Sequence, residues 1–445
     1  MFDKPLSVLV RIYRIGRGSF DRAKWILPKT FRFLFAVGSL AVAIIAVGNS
    51  VKDGATQNEY FEAVKTTGTA ISMLLGFLAI LYYWFHKLTI ADNSIAQQIT
   101  HAVRGAEVIH TNVGQSLLTD TDANQLIETA HNPIEYNRKL SDIDEMVQLF
   151  KGMLVLRLPN ANITTFDDKK IKLRTDISRE ALENGETIHL QQTSYFRDRL
   201  SNAVWDKLVK LDERTAINFV DETFASRFDQ HSGKIVWRLH DLPQSPLANQ
   251  IGASCILLTS DRRVIYLRQG RRSSENEDKL GPSGSGSFDA RALTRYAGKT
   301  LQELVRGECQ RELKEECGIT DSDIVDIQIC GFGRYLYRGG KPEFFCIATT
   351  SKGSPDIKVP VREWDFQSKL VIRSDAIAAT RGPMPMFCNT LADGFDRLWQ
   401  SLERNHGKEK VSGPLIWNLR LAADYLRKGN PERLRLLLKT LNPSA

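Results

Sequence analysis

The apolar and polar positions of this chain follow different patterns along its length. Near the N-terminus, residues 31–48 and 68–85 form two long apolar runs that together contain one charged residue, Arg32. Each run is about as long as a helix needs to cross the ~30 Å hydrocarbon core of a bilayer. The pattern predicts a two-helix transmembrane hairpin over residues 31–87, which follows a basic segment at residues 1–30.

The lysines and arginines around these runs predict the orientation of the hairpin. The first 32 residues hold eight basic and two acidic residues, whereas the loop at 49–67 holds two basic and three acidic residues. Positive charge favours the cytoplasmic side, so both termini are expected in the cytoplasm.

A signal peptide is the alternative for the first run, and a buried core helix for the second. The long basic segment and the aromatic cluster at 82–84 favour two spans.

The middle of the chain, residues 88–250, has a mixed pattern. Residues 141–156 and 200–211 have helical spacing, whereas residues 171–177 and 186–193 are typical of strands. The pattern predicts a cytosolic linker and a small α+β module. Its role stays open between part of a ligand pocket, an oligomerisation segment and a strut.

The pattern is sharper from residue 251 to the C-terminus at 445. A hairpin is predicted first, then a glycine- and serine-rich loop at 280–289, then a helix over about 300–317 that Gly318 ends. Two strands and two helices follow, at 323–333, 342–350, 390–405 and 414–429. The predicted fold class is therefore an N-terminal two-helix transmembrane hairpin plus cytosolic α+β structure, with a C-terminal α/β/α sandwich.

The charge and the cysteines narrow the classes of function. The net charge is +8, and the first 32 residues carry most of the excess, so the remainder is nearly balanced. Nucleic acid is therefore not an expected partner. All six cysteines lie after residue 250 without a CxxC pair, which fits a reducing compartment.

The predicted helix at 300–317 carries a cluster of carboxylates. Glu312, Glu315 and Glu316 stand at i, i+3 and i+4, so they share one face of a helix. Hard oxygen ligands of this kind suit Mg²⁺ or Mn²⁺, and a divalent ion would offset their repulsion. Arg311 could hold one glutamate in place as a bidentate partner. A solvated charged helix is the alternative.

This stretch resembles the Nudix box, whose pattern is G, five residues, E, seven residues, then REUxEExGU, where U is bulky and aliphatic. Glu303 matches the isolated glutamate, and the later positions are matched by Arg311, Glu312, Leu313, Glu315, Glu316, Gly318 and Ile319. The chain departs from the pattern at Ala297, where the box has glycine, and Gly298 comes one residue late. The departure puts the geometry of the substrate side in doubt.

The resemblance implies a Nudix-like domain over residues 251–445 and a possible Mg²⁺-dependent hydrolase. Glu312, Glu315 and Glu316 would hold Mg²⁺ or Mn²⁺. If the domain is catalytic, Glu303, Arg311 and Glu315 would take part in the reaction. Enzymes with this box cleave nucleoside diphosphates linked to another group, with the metal ion polarising the diphosphate and activating water.

The whole arrangement resembles the membrane-bound effectors of CBASS, bacterial antiphage operons, that carry a SMODS-associated Nudix-like domain. In these systems a nucleotidyltransferase encoded in the operon acts through its product, a cyclic oligonucleotide. The resemblance implies a homo-oligomer in the bacterial inner membrane. It would bind the cyclic nucleotide, disrupt the lipid bilayer and kill the infected cell by abortive infection.

Candidate nucleotide contacts are Arg271, Arg272, Gly284 and Gly286, in and before the glycine-rich loop. A solvated turn is the alternative for the two arginines. Three hypotheses stay open at this point: a cyclic-nucleotide sensor and effector, a membrane-tethered Nudix hydrolase, and a membrane scaffold with an inactive Nudix fold.

Overall fold

A computed structural model of the 445-residue chain describes most of its C-terminal four-fifths. The described residues are 89–92, 107–140, 167–210, 216–229, 233–269, 278–296, 298–358, 371–377, 383–439 and 441. They belong to two compact units. The smaller unit holds residues 89–92, 167–168, 194–210 and 216–219, and the larger unit holds the others.

Short strands dominate the first half of the described chain and long helices the second. The strands are β1 (Thr89–Asp92), β2 (Glu107–His110), β3 (Ser116–Thr119), β4 (Ile134–Leu140), β5 (Lys169–Leu173), β6 (Ile188–Ser194), β7 (Lys207–Lys210), β8 (Ala216–Asn218), β9 (Phe224–Asp229), β10 (Lys234–Leu239), β11 (Gly252–Leu258), β12 (Arg263–Arg268), β13 (Leu280–Gly281), β14 (Gly284–Ser287), β15 (Ile324–Tyr335), β16 (Lys341–Thr350) and β17 (Val371–Ala376). The α-helices are α1 (Thr121–Leu126), α2 (Arg179–Glu183), α3 (Tyr195–Arg199), α4 (Phe219–Thr223), α5 (Ala292–Tyr296), α6 (Leu301–Cys317), α7 (Met384–His406), α8 (Gly413–Lys428) and α9 (Pro431–Leu438).

The larger unit is built around a mixed nine-stranded sheet. Its order is β13-β12-β11-β16-β15-β3-β2, with β14 also paired to β11 and β17 to β12. The central strands β11 and β16 run parallel, in register from Gly252 opposite Glu343 to Leu258 opposite Thr349. Every residue of these two strands is buried. Near-continuous burial of this kind requires that both faces of the sheet are covered.

Helices cover the two faces of this sheet. Leu391, Phe395 and Trp417, from α7 and α8, pack in one hydrophobic cluster with Phe345 and Ile347 of β16. On the other face, α6 packs in a second cluster with the strand residue Phe344 and with residues of β5 and β6. The result is a three-layer α/β/α arrangement, in which α6 packs in one cluster with residues of the main sheet and of the small sheet β4-β6-β5.

The smaller unit contains the three-stranded antiparallel sheet β1-β7-β8. The helix predicted over residues 200–211 is wrong: this stretch holds a short 3₁₀ turn at Asn202–Val204 and then strand β7. A turn that buries Val204 and a strand that buries Val209 place apolar residues at intervals that also fit a helix.

The predicted fold class and membrane location are corrected by the described structure. None of the helices in the described ranges is long and apolar enough to cross a membrane. The longest of them, α7, has 23 residues, but it buries one side and carries charges such as Asp393, Asp396 and Arg404 on the other. The described part of the chain consists of several sheets and of helices such as α7. The two runs on which the hairpin prediction rested, residues 31–48 and 68–85, lie outside the described residues.

Candidate functional site

Helix α6 is fixed at both ends by local sequence signals. Thr300 is the N-cap, and its hydroxyl accepts a hydrogen bond from the Glu303 backbone N–H, while the Glu303 carboxylate accepts one from the Thr300 N–H at 2.9 Å. This reciprocal pair is a capping box. At the other end Gly318 has a φ of 66°, a left-handed conformation that glycine adopts without steric cost. The predicted helix over 300–317 is confirmed.

Three buried carboxylates lie along one side of α6, and we call them the acidic face. Glu308, Glu312 and Glu316 are four residues apart and are 3 %, 7 % and 8 % exposed. Acidic side chains are rarely so buried unless they have partners. Glu315, by contrast, is half-exposed. Glu312 and Glu316 were predicted from the sequence as site residues, whereas Glu308 was not among them, although its spacing of four residues from Glu312 places it on the same side of the helix.

Strand β14 lies against the acidic face and supplies backbone hydrogen bonds to it. The Ser285 N–H donates to Glu316 Oε2 at 3.0 Å, and the Asp289 N–H, just beyond the strand, donates to Glu308 Oε2 at 3.2 Å. A Cβ atom on Gly286 would lie 1.9 Å from Glu312 Oε1, so any other residue there would displace the carboxylate from its present position. The glycines of this segment therefore serve close packing against α6.

The Arg311 guanidinium joins the acidic face to Glu315. It donates to Glu308 at 3.0 Å, to Glu312 at 2.5 Å and to Glu315 at 2.9 Å. A planar guanidinium with five N–H donors can serve several carboxylates at once. Arg311 therefore places one positive charge in contact with Glu308, Glu312 and Glu315.

Burial dominates the electrostatics of the acidic face. It raises the pKa of Glu312 to about 7, and the negative charges of Glu315 and Glu308 add to the effect, although Arg311 and Lys170 oppose it. Burial lowers the pKa of Arg311, but its three acidic neighbours outweigh burial and raise it above the ordinary value. Glu312 is thus a buried acid that stays partly protonated near neutral pH, even with Arg311 in contact.

The other predicted site residues differ in their distance from the acidic face. Glu303 is exposed at the start of α6, two turns before Arg311, where its carboxylate caps the helix. Gly284, like Gly286, packs closely against α6: a Cβ atom added to it would lie 3.0 Å from the Leu313 backbone N. Arg271, Arg272 and Ala297 lie outside the described residues.

Replacement of Glu303 by alanine should test its capping role. We expect a loss of about 1 kcal/mol in the free energy of unfolding, because one cap hydrogen bond disappears from the capping box. Chemical denaturation of the full chain measures this loss. Glu303→Gln, which can still accept the bond, should lose less; an equal loss in both variants would contradict the capping role.

The donor chemistry of the acidic face fits a divalent cation. Mg²⁺ and Mn²⁺ prefer carboxylate oxygens, and a bound cation would stabilise the charged form of Glu312, which burial disfavours. In the arrangement observed, no three acidic, histidine or cysteine side chains of the described residues converge as a metal-binding group. Glu312 and Glu316, with Glu315 beside them, are the residues that would hold an ion.

No protein-family model matches this chain, and no curated protein matches it in sequence.

Proposed function

We propose that this chain is a nucleotide sensor, in which the Nudix-like unit around α6 binds a cyclic-nucleotide second messenger as the effector of a CBASS-type antiphage system. The messenger would come from a nucleotidyltransferase of the same operon. One observation carries the binding part of this proposal: the buried acidic face of α6, in which burial raises the pKa of Glu312 and hydrogen bonds join the carboxylates to the segment around β14.

The contacts of Arg311 supply a way for binding to change the domain. This arginine now serves three carboxylates. A phosphate group competes for a guanidinium, and a divalent cation competes for carboxylates. Binding of both would exchange these partners and alter the contacts between α6 and β14. A ligand that has different contacts in two arrangements shifts the balance between them, which is what a sensor requires.

A second candidate function is hydrolysis of nucleoside diphosphate-linked substrates. Glu312 favours it, because burial raises the pKa of this carboxylate to about 7, and a general base works best with a pKa near the working pH. Glu315 is the partly exposed carboxylate that water and substrate can reach. A bound divalent ion would supply polarisation of the diphosphate and activation of water.

The two functions differ in what happens to the nucleotide. The melting temperature of the full chain should be measured with cyclic di- and trinucleotides and with linear dinucleoside diphosphates, each with and without Mg²⁺. Each nucleotide is then recovered by chromatography. A ligand that binds the folded state at a hundredfold excess over its Kd adds about 2.7 kcal/mol of stability.

The proposal expects one cyclic nucleotide to raise the melting temperature and to be recovered intact. Consumption of a linear diphosphate with Mg²⁺, lost in Glu315→Gln, together with no response to any cyclic nucleotide, would replace the sensor by the hydrolase. No shift and no consumption across the whole panel would contradict both.

A further inference from the structure

A large open cavity lies beside the acidic face, in the same compact unit. Its volume is about 570 Å³, within the ~300–1,000 Å³ usual for small-molecule sites. We call it the β4 cavity, because Ile134, Tyr136 and Arg138 of β4 form one wall. The remaining lining residues are Lys169, Gln192, Ala290, Arg291, Leu293 and Gly298.

The charge of the β4 cavity is positive. Arg138, Lys169 and Arg291 line it, and none of its described lining residues is acidic. Arg291 donates to both carboxylate oxygens of Asp289, with Nη2 at 2.6 Å, so its charge is largely compensated. Arg138 and Lys169 are both exposed, so they give the cavity its attraction for an anion.

The backbone of β4 is irregular where it meets the cavity. Asn137 stands opposite Gln191 of β6, and Leu140 stands opposite Gln192, so β4 has two extra residues at 138 and 139. Bulges of this kind turn a side chain out of the regular alternation and are frequent next to functional sites. Arg138 is the first of the two extra residues, and it lies near Tyr136: burial raises the pKa of Tyr136, and the charge of Arg138 opposes this rise.

The cavity also combines aromatic and apolar surface with these charges. Tyr136 is half-buried, and its hydroxyl donates a long hydrogen bond to Gln192 Oε1 at 3.5 Å. Ile134 and Leu293 add apolar surface. A flat base can stack on a tyrosine ring while arginine and lysine contact phosphate, which is a common way of binding nucleotides without base-specific contacts.

Strand β5 links the cavity to the acidic face. Lys169 lines the cavity, and the next residue, Lys170, donates to the Ser287 carbonyl at 3.4 Å; burial raises the pKa of Glu312, and the charge of Lys170 is among those that oppose this rise. The Lys169 carbonyl accepts a hydrogen bond from the Ala290 N–H, one residue after Asp289, which itself donates to Glu308. The two sites therefore share one short stretch of backbone.

We propose that the β4 cavity binds the nucleotide, with the base on Tyr136 and the phosphates on Arg138 and Lys169. This inference rests on the proposed nucleotide-binding function and assigns it a site away from the residues of the Nudix-like box. A ligand in the β4 cavity would affect the acidic face through its contact with Lys169 and the adjacent Lys170.

The test is equilibrium binding of the full chain to cyclic di-AMP, cyclic di-GMP, cyclic tri-AMP, ATP, GTP and inorganic diphosphate, each with Mg²⁺. For a nucleotide that the unchanged chain binds, Arg138→Ala and Lys169→Ala should each weaken binding at least about tenfold, since each removes a charge-assisted hydrogen bond. Lys139→Ala is the matched control. It removes the same charge from an exposed residue next to Arg138 that does not line the cavity, and should change binding less than about twofold.

The outcomes separate the site from the function. Equal binding by the unchanged chain, Arg138→Ala and Lys169→Ala would overturn the site and leave the proposed function standing. Binding of no nucleotide by the unchanged chain would overturn both. Inorganic diphosphate bound as tightly as the best nucleotide, with no loss in Tyr136→Leu, would overturn the stacking of a base and leave a phosphate site.

Discussion

Replacement of Arg311 by methionine should lower the free energy of unfolding by about 3 kcal/mol at pH 8. The arginine contacts Glu308, Glu312 and Glu315, and the first two have side chains only 3 % and 9 % exposed. Without the guanidinium these carboxylates remain buried beside each other with no nearby arginine charge. Urea denaturation of the full chain, monitored by circular dichroism, gives the difference.

A surface arginine with similar contacts is the matched control. Arg427 also bridges two acids, Asp393 at 2.8 Å and Asp396 at 2.6 Å, but these are 53 % and 36 % exposed and regain water when the arginine is removed. Arg427→Met should therefore cost no more than about 1 kcal/mol. Equal losses in Arg311→Met and Arg427→Met would show that the acidic face is not charged in the folded protein.

Glu312→Gln should change how stability depends on pH. Burial raises the pKa of Glu312 from 4.5 to about 7, so the folded state keeps this proton in a range where the unfolded state has lost it. The stability that Glu312 contributes is then fully present below pH 4.5 and is lost as pH rises towards 7. The loss amounts to at most about 3 kcal/mol, at 1.36 kcal/mol for each pKa unit.

The measurement is the difference in unfolding free energy between the unchanged chain and Glu312→Gln from pH 4.5 to 8. The unchanged chain should lose stability relative to the variant across this range. Glu303→Gln is the control with the opposite sign, because its cap hydrogen bonds with Thr300 lower the pKa of Glu303 despite slight desolvation. If the difference in unfolding free energy between the unchanged chain and Glu312→Gln did not vary with pH, the raised pKa of Glu312 would be contradicted.

The core elements of the larger unit could be predicted from the sequence because their signals are local. The hairpin β11–β12, the strands β15 and β16 and the helices α6, α7 and α8 all lie within a few residues of their predicted positions, apart from an earlier start of α7. Gly318 ends α6 as predicted. Apolar periodicity and end signals suffice for such elements.

What the sequence could not provide depends on contacts between distant segments. The segment with Gly284 and Gly286 was predicted as a loop, but hydrogen bonds with β11 make it a strand. Strands β2 and β3 extend the main sheet at β15, more than two hundred residues away along the chain. Pairing over such separations leaves no pattern in either segment alone.

The candidate site was predicted only in part, because it also depends on contacts between distant segments. Spacing placed Glu312 and Glu316 on one face, and both are buried there, but the face continues through Glu308 and turns Glu315 towards solvent. The β4 cavity could not be predicted, because it joins residues of β4, β5 and β6 to the segment after β14. Hydropathy also predicted membrane-spanning helices over residues 31–48 and 68–85. No helix in the described ranges is long and apolar enough to cross a membrane, and these two runs lie outside those ranges.

The proposed function requires that the acidic face of α6 can bind a divalent cation through Glu312. Titration calorimetry of Mg²⁺ into the full chain at pH 6.5 tests it most directly, in two buffers with different enthalpies of ionisation, PIPES and imidazole. Because Glu312 holds its proton in much of the population at this pH, binding should release up to about one proton per ion, and the heat should depend on the buffer. Glu312→Gln should abolish that dependence. Absence of Mg²⁺ binding, or the same proton release in Glu312→Gln, would contradict the claim.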